Sequence, residues 1–249
     1  MFGSKSKNAV LPFDLFDIHC HIVPGVDDGA GSIEDSMALI DAEYGDGVRS
    51  IIVTPHFRMR MFENREQTVR SAYALLCDAV YKKYPDMKLY LGCELHEHGD
   101  MIEHIRRREQ FLIDGTDSVL VEFSEADEQS KIKERLYSLV SHGYAPIIAH
   151  AERYGSMNTD RDFIEYLLGL GVRIQLNADS VIGELGGSVK RVCARLLDMG
   201  AVSFIGSDCH DMKSRPPHMG ACAAYLVKRY GMSFAKELMC DNPREIVRE

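Results

Sequence analysis

Histidines and carboxylates recur in this chain where short apolar runs end. The stretch FDIHCHIVPGVDDGA places His19 and His21 two residues apart and follows them with a Gly-rich turn bearing Asp27 and Asp28. Further along, TPH ends at His56, GCE at Glu94, VEF holds Glu122, HAER holds His150 and Arg153, and SDCH holds Asp208 and His210. Imidazole and carboxylate without thiolate suit a hydrolytic site with Zn, Mn or Fe better than a structural cysteine–zinc site. The donors outnumber what one ion can use. Two or three ions about 3.5–4 Å apart form the usual clamp on a phosphoryl group.

Something must bring these groups together. Apolar β-branched runs at Leu15–His21, Ser50–His56, Leu89–Glu94, Ser118–Phe123, Pro146–His150, Arg173–Asn177 and Ser203–Asp208 read as strands. Amphipathic stretches such as IKERLYSLV and FIEYLLGLG separate them and read as helix faces packed on a sheet. Ser32 with Asp35, and Asn64 with Gln67, look like helix N-caps, and Gly47, Gly143, Gly171 and Gly200 like helix stops. The alternation predicts an α/β chain with a parallel sheet. Seven strands suit a closed (β/α) barrel better than the alternative, an open doubly wound sheet. Six of the seven strands end in an imidazole or a carboxylate, and the C-terminal mouth of such a barrel is where active sites lie. Charged groups seldom occupy buried strand ends unless they are paired or bind metal. Period-2 geometry puts His19 and His21 on one face and Cys20 on the other. It likewise opposes Cys209 to Asp208 and His210, and Cys93 to Glu94. The interleaved thiols therefore read as small hydrophobes.

The bulk numbers exclude other classes. The chain has 249 residues, 45% of them hydrophobic, and no composition break, so it reads as one domain over 1–249 with residues 1–12 as a short N-terminal extension. A net charge of −9 argues against a nucleic-acid or anionic-membrane binder. The N-terminus reads as lacking a signal peptide, and no run of about 18 apolar residues offers a membrane span. Seven scattered cysteines without C-x-x-C fit free thiols in a reducing cytoplasm.

The ordered series HCH, TPH, GCE, VEF, HAER and SDCH resembles the polymerase-and-histidinol-phosphatase (PHP) superfamily of metal phosphoesterases. DIHCHIVPGVDDGA, HAERY and SDCHD…RP resemble more closely its bacterial capsule-type protein-tyrosine phosphatase branch. The resemblance runs from about Phe13 to the last helices. It implies a distorted seven-stranded (β/α) TIM-like barrel with three divalent ions, manganese favoured and iron or zinc the alternatives. By position, His19, His21, Glu94 and Asp208 would hold one ion. Glu94 would bridge to a second, held also by Glu122 and His150. Asp28, His56 and His210 would hold the third. Sequence physics alone does not separate Asp27 from Asp28, and the resemblance favours Asp28. Arg153 and Arg215 match the arginines that grip the phosphate. The implied substrate is a phosphotyrosine protein, the tyrosine-rich tail of a kinase controlling capsule and exopolysaccharide export. A homo-oligomer is compatible with this. Three divalent ions against four ligand carboxylates would make the site positive inside an acidic protein.

Some features have bland readings. Cys209 to Arg215 matches the C-x5-R loop of cysteine phosphatases, but the stretch lacks glycine and two aspartates flank the cysteine, so the match reads as coincidental. His104, His142 and His218 read as core or surface residues and His96 and His98 as loop residues. Arg153 could pair with Glu152 or Asp160. Arg106–Arg108 reads as a solvated face, with contact to an acidic, tyrosine-rich tail as the weaker reading. Three rivals to the phosphatase stand: a small-molecule phosphoesterase of histidinol-phosphatase type, a non-catalytic metal-binding regulatory module, and a metal-dependent C–N hydrolase.

Overall fold

The computed structural model describes residues 11–107, 111–157 and 160–247. Among them nine short strands pair only in parallel: β1 (Leu15–Cys20), β2 (Val48–Val53), β3 (His56–Phe57), β4 (Lys88–Leu91), β5 (Glu94–His96), β6 (Ser118–Glu122), β7 (Ala145–Ile148), β8 (Arg173–Asn177) and β9 (Phe204–Gly206). They form a three-stranded sheet in the order β1-β2-β4 and a six-stranded sheet in the order β3-β5-β6-β7-β8-β9. The helices are α1 (Ile33–Asp46), α2 (Glu66–Lys83), α3 (Met101–Arg107), α4 (Gln129–Ser141), α5 (Arg161–Gly169), α6 (Ala178–Ile182), α7 (Gly187–Asp198), α8 (Met219–Tyr230), α9 (Met232–Lys236) and α10 (Asn242–Val247). None is long and apolar enough to cross a membrane.

The expected strands Ser50–His56 and Leu89–Glu94 are each broken in two. Thr54-Pro55 separates β2 from β3, and Gly92-Cys93 separates β4 from β5. Pro55 has no N–H to offer the ladder, so regular pairing stops there. It resumes one step on: Gly92 N donates to Val53 O at 2.8 Å and Glu94 N to Pro55 O at 3.1 Å. At the other edges β1 meets β9. Asp208 N donates to His19 O at 2.7 Å and His21 N to Cys209 O at 2.9 Å. The result is an α/β fold of curled parallel sheets.

Two apolar clusters hold it. The larger lies between sheets and helices and includes Leu39 and Ile40 of α1, Leu76 of α2, Leu136 of α4, Phe163 of α5 and Leu196 of α7. The smaller joins Phe16, Ile18, Ile52, Leu120, Ile147, Ala149 and Phe204 on the concave side. Burying such side chains contributes roughly 1.5–3 kcal/mol each. The same rows continue two residues on into polar groups: Leu120 leads to Glu122, and Ile52 through Thr54 to His56. The concave face is thus apolar at one end and ionisable at the other.

β1 departs from simple alternation. Phe16 and Ile18 belong to the concave cluster, so an unbroken period of two would turn His19 outward. The β1–β2 register slips between Asp17 and Cys20. Beyond that bulge Cys20 joins the outer cluster, and His19 and His21 bring their Nε2 atoms within 3.2 Å of each other.

Ser32 caps α1, accepting from Asp35 N, and Gly47 ends it in the left-handed conformation at φ 98°. Asn64 does not cap α2, which starts at Glu66 with no side-chain cap. Its amide instead donates to Val26 O and ties the helix entry to the turn after β1.

Candidate metal centre

The turn after β1 closes tightly on its own strand. Ala30 N donates to His21 O at 3.0 Å, and a Cβ on Gly29 would lie 2.0 Å from that same oxygen. Only glycine allows this approach. Gly206 has a similar role, since a Cβ there would stand 2.7 Å from His19 Cβ. At the ends of β7 and β9 the chain turns sharply. His150 has φ 30° and Asp208 φ 52°, and these are two of three non-glycine residues with positive φ among the described residues. Such conformations cost of order 1–3 kcal/mol and persist where surroundings enforce them, often at functional sites.

The nine histidines and carboxylates singled out as ligands come together. Donor atoms of His19, His21, Glu94 and Asp208 lie within 4.8 Å of one another, as do those of His21, Asp28, His56 and His210, and those of His56, Glu94 and Glu122. His150 Nε2 joins the last group, 2.8 Å from Glu94 Oε1 and 3.9 Å from Glu122 Oε1. His21 and His56 each belong to two groups, a sharing that the spacing of the motifs does not predict.

Glu94 is the hub and is fully buried. Its Oε2 lies 3.1 Å from each of three nitrogens, His19 Nε2, His21 Nε2 and His56 Nδ1, yet makes no hydrogen bond. Buried polar atoms are normally paired. Glu122 Oε2, His56 Nδ1 and His210 Nε2 are similarly unpartnered. Two donors bound to one ion at 2.0–2.2 Å stand about 3.0–3.5 Å apart, which is the spacing around Glu94 Oε2. These residues fit divalent metal.

The imidazoles are oriented for it. Nδ1 of His19 pairs with Gln175 Oε1 at 3.1 Å, of His21 with Asp27 Oδ2 at 2.9 Å, of His150 with Tyr154 Oη at 3.2 Å and of His210 with Asp208 O at 2.9 Å. A proton held on Nδ1 leaves the Nε2 lone pair free to coordinate. Burial first, and the neighbouring His21 against Glu94, lower His56 to about 4; burial and His21 lower His210 to about 2, so both rings are neutral near pH 7. Burial, and then the charge of Glu94, raise Glu122 to about 7. Burial works against ionising Asp208, but His19, His21 and Arg153 outweigh it and hold the carboxyl well below its usual range.

The geometry distinguishes the two aspartates of the turn. The Asp27 side chain is buried and accepts from His21 Nδ1 and His56 N, both at 2.9 Å, and from Gly29 N at 3.0 Å. Burial opposes its charge, but the His21 hydrogen bond prevails and lowers its pKa to about 2. Asp28 is half exposed, with Oδ1 3.6 Å from both His56 Nε2 and His210 Nε2. Asp27 orients the His21 ring, and Asp28 stands among the clustered donor groups.

Beside these groups opens a cavity of about 200 Å³, lined by Asp28, His56, Arg58, Met61, Phe62, Glu94, Glu122, His150, Arg153, Asp208 and Arg215. Arg153 does not pair with Glu152 or Asp160. Its Nη2 lies 3.0 Å from Asp208 Oδ2, while Arg215 Nη2 lies 2.8 Å from Asp208 Oδ1. Asp160 instead caps α5, and Glu152 accepts from Asn177 N at 3.1 Å. Arg58, Met61 and Phe62 carry no ligand-type pattern, and the sequence reading missed them. It placed β8 correctly but gave it no part in the site, although its Gln175 and Asn177 brace the centre. Gln175 Oε1 accepts from His150 N at 2.7 Å, and Asn177 Nδ2 donates to Asp208 Oδ2 at 2.7 Å. Polar residues alternating on an expected strand, Gln175 and Asn177, were the available signal.

Cys209 is fully buried and does not line the cavity; its Sγ faces Glu43 Oε1 at 4.0 Å. All seven cysteines are free. His142 bonds the Ser138 carbonyl of its own helix, and the His98 and His104 rings meet at 55° with centroids 4.7 Å apart. Arg107 pairs with Glu103 in α3; Arg108 lies outside the described residues.

Comparison with known proteins follows the same lines. The chain is 32% identical to tyrosine-protein phosphatase CpsB of Streptococcus pneumoniae over 238 residues, 94% of this chain and 98% of that protein. It superposes with a TM-score of 0.86 and 29% identity, covering 94% of each chain, on a solved structure from work on YwqE of Bacillus subtilis and CpsB of S. pneumoniae, described as metal-dependent tyrosine phosphatases. A phosphotriesterase homology protein from Escherichia coli, only 13% identical, shares the fold alone at a TM-score of 0.60, over 94% of this chain and 99% of that one. The family model for capsular polysaccharide synthesis, CpsB/CapC, matches residues 15–248, and the chain belongs to that family.

Proposed function

We propose that this protein is a metal-dependent protein-tyrosine phosphatase, hydrolysing phosphotyrosine on a kinase that controls capsule or exopolysaccharide export. The observation that carries this is Glu94 Oε2, buried and unbonded at 3.1 Å from three imidazole nitrogens, beside a cavity that also holds three arginines. The proposed ligands are His19, His21, Asp28, His56, Glu94, Glu122, His150, Asp208 and His210. They would hold three ions, manganese favoured, at the C-terminal mouth of a distorted seven-stranded barrel within one domain. The acidic composition, the free cysteines and the lack of a membrane-spanning helix among the described residues support a cytoplasmic setting.

Bound divalent ions supply Lewis acidity and activate water near neutral pH. The chain's own residues do the rest. Asp27, Gln175, Tyr154 and the Asp208 carbonyl fix the imidazole rings. Arg153 and Arg215 donate to the phosphoryl oxygens and neutralise charge that grows in the transition state. Water adds to phosphorus as the bond to the tyrosine oxygen breaks, and the leaving phenolate takes a proton from solvent. A parent pKa of about 10 makes phenolate a fair leaving group, so a strong general acid is less needed.

Turnover of a phosphotyrosyl peptide against histidinol phosphate tests the reading; preference for histidinol phosphate would replace it with the small-molecule one. No cysteine takes part, so Cys209→Ser is expected to keep activity within about threefold of wild type, well under one pK-unit equivalent in barrier. Loss of all activity with metal still bound would show a thiol mechanism instead.

A further inference from the structure

The cavity beside the metal groups is polar except on one side. Of its eleven lining residues only Met61 and Phe62 are apolar, and both come from a single tight turn. Arg58 N donates to Phe62 O at 3.1 Å, Phe62 N to Arg58 O at 2.8 Å and Met61 N to Arg58 O at 3.1 Å. At the apex Arg60 sits at φ 65°, a conformation that costs a non-glycine residue, and its N–H is anchored by the Glu63 carboxylate. The Phe62 ring lies nearly parallel to the His56 imidazole, 8° apart with centroids at 5.5 Å. Met61 is 61% exposed, an apolar side chain held in solvent at the rim. Among the described residues, neither Met61 nor Phe62 belongs to or packs against either apolar core cluster.

We propose that the Arg58–Phe62 turn is the subsite for the substrate's aromatic ring, and that Phe62 and Met61 set a preference for aryl over alkyl phosphoesters. This rests on the phosphatase reading above. A phosphate held by Arg153 and Arg215 leaves its ester group to exit along the cavity wall. A phenyl ring can lie against the Phe62 face and the Met61 thioether, contacts that favour aromatic partners. A phosphoserine has one methylene there and then peptide backbone. Its polar groups would meet Met61 and Phe62 without hydrogen-bond partners, which penalises the alkyl ester as the ring contact rewards the aryl one.

The test compares binding of phenylphosphonate and methylphosphonate to the Mn²⁺-loaded protein by calorimetry. It is paired with kcat/KM for a phosphotyrosyl and a phosphoseryl peptide of one sequence. Phe62→Ala is expected to cut the aryl-to-alkyl preference about 10- to 100-fold, the worth of one buried aromatic contact surface. Met61→Ala is expected to cut it about 2- to 10-fold. Should Phe62→Ala lose metal through its stack on His56, Met61→Ala and Phe62→Leu decide. Variants that stay folded and metal-loaded yet keep the wild-type preference overturn the proposal. So does a wild type that hydrolyses phosphotyrosyl peptide but binds both phosphonates alike. A wild type inert on both peptides would count against the phosphatase reading, and its phosphonate preference would still decide the subsite.

Discussion

Replacing Glu94 by glutamine is expected to lower kcat/KM on a phosphotyrosyl peptide by about 10³-fold or more, some 4 kcal/mol of barrier. Glutamine matches the shape of the buried side chain, so the fold should survive. What changes is the charge and one oxygen. Glu94 Oε2 faces three imidazole nitrogens at 3.1 Å, and Oε1 faces His150 Nε2 at 2.8 Å. An amide NH₂ placed in either position would present hydrogens to lone pairs oriented for a cation. It would also remove the negative charge shared by the groups around His19 and around Glu122. Metal content by mass spectrometry should fall with activity while circular dichroism stays unchanged. A variant that keeps more than about a tenth of wild-type activity, a loss below 1.4 kcal/mol, contradicts the role given to Glu94.

Arg153→Ala and Arg215→Ala are each expected to lower kcat/KM by about 10²–10³-fold, the usual cost of removing one donor to a developing charge. Both guanidinium groups reach the cavity from part-buried positions and meet at opposite oxygens of Asp208. Lysine should restore little at either place, because a point charge cannot reproduce a planar two-donor fork. The double variant should lose less than the product of the singles, since the two act on one phosphoryl group. Metal content separates this from the Glu94 result. It should be retained in the arginine variants, and loss of metal there would mean that they only brace Asp208.

The convergence of these groups was legible in the sequence because their residue types and positions are unusual. His19, His21, His56, Glu94, His150, Asp208 and His210 end apolar runs, where an ionisable group is costly without a partner. The fold was legible to the level of a parallel α/β chain, since the runs alternate with helical periods and turn glycines. What escaped lies at a finer scale. The breaks at Pro55 and Gly92 and the bulge in β1 are set by how neighbouring strands pair, which no local pattern shows. The roles of Asp27 and Asp28 differ only in which one the Gly29 turn aims at His21. Gln175 and Asn177 were passed over because amides on a strand resemble any half-buried polar pair. Phe62 and Arg58 line the cavity from a turn whose sequence carries no ligand-type pattern. The Asn64 cap failed because its amide finds the Val26 carbonyl instead.

The central claim is that these converging groups hold divalent metal and that the metal-loaded centre hydrolyses phosphotyrosine. Phosphate release from a phosphotyrosyl peptide, measured on protein stripped with EDTA and then titrated with Mn²⁺, tests it most directly. The stripped protein should be inactive, and activity should return in step with the bound metal. Undiminished hydrolysis by protein shown to be metal-free, or no hydrolysis after full reloading, would contradict it.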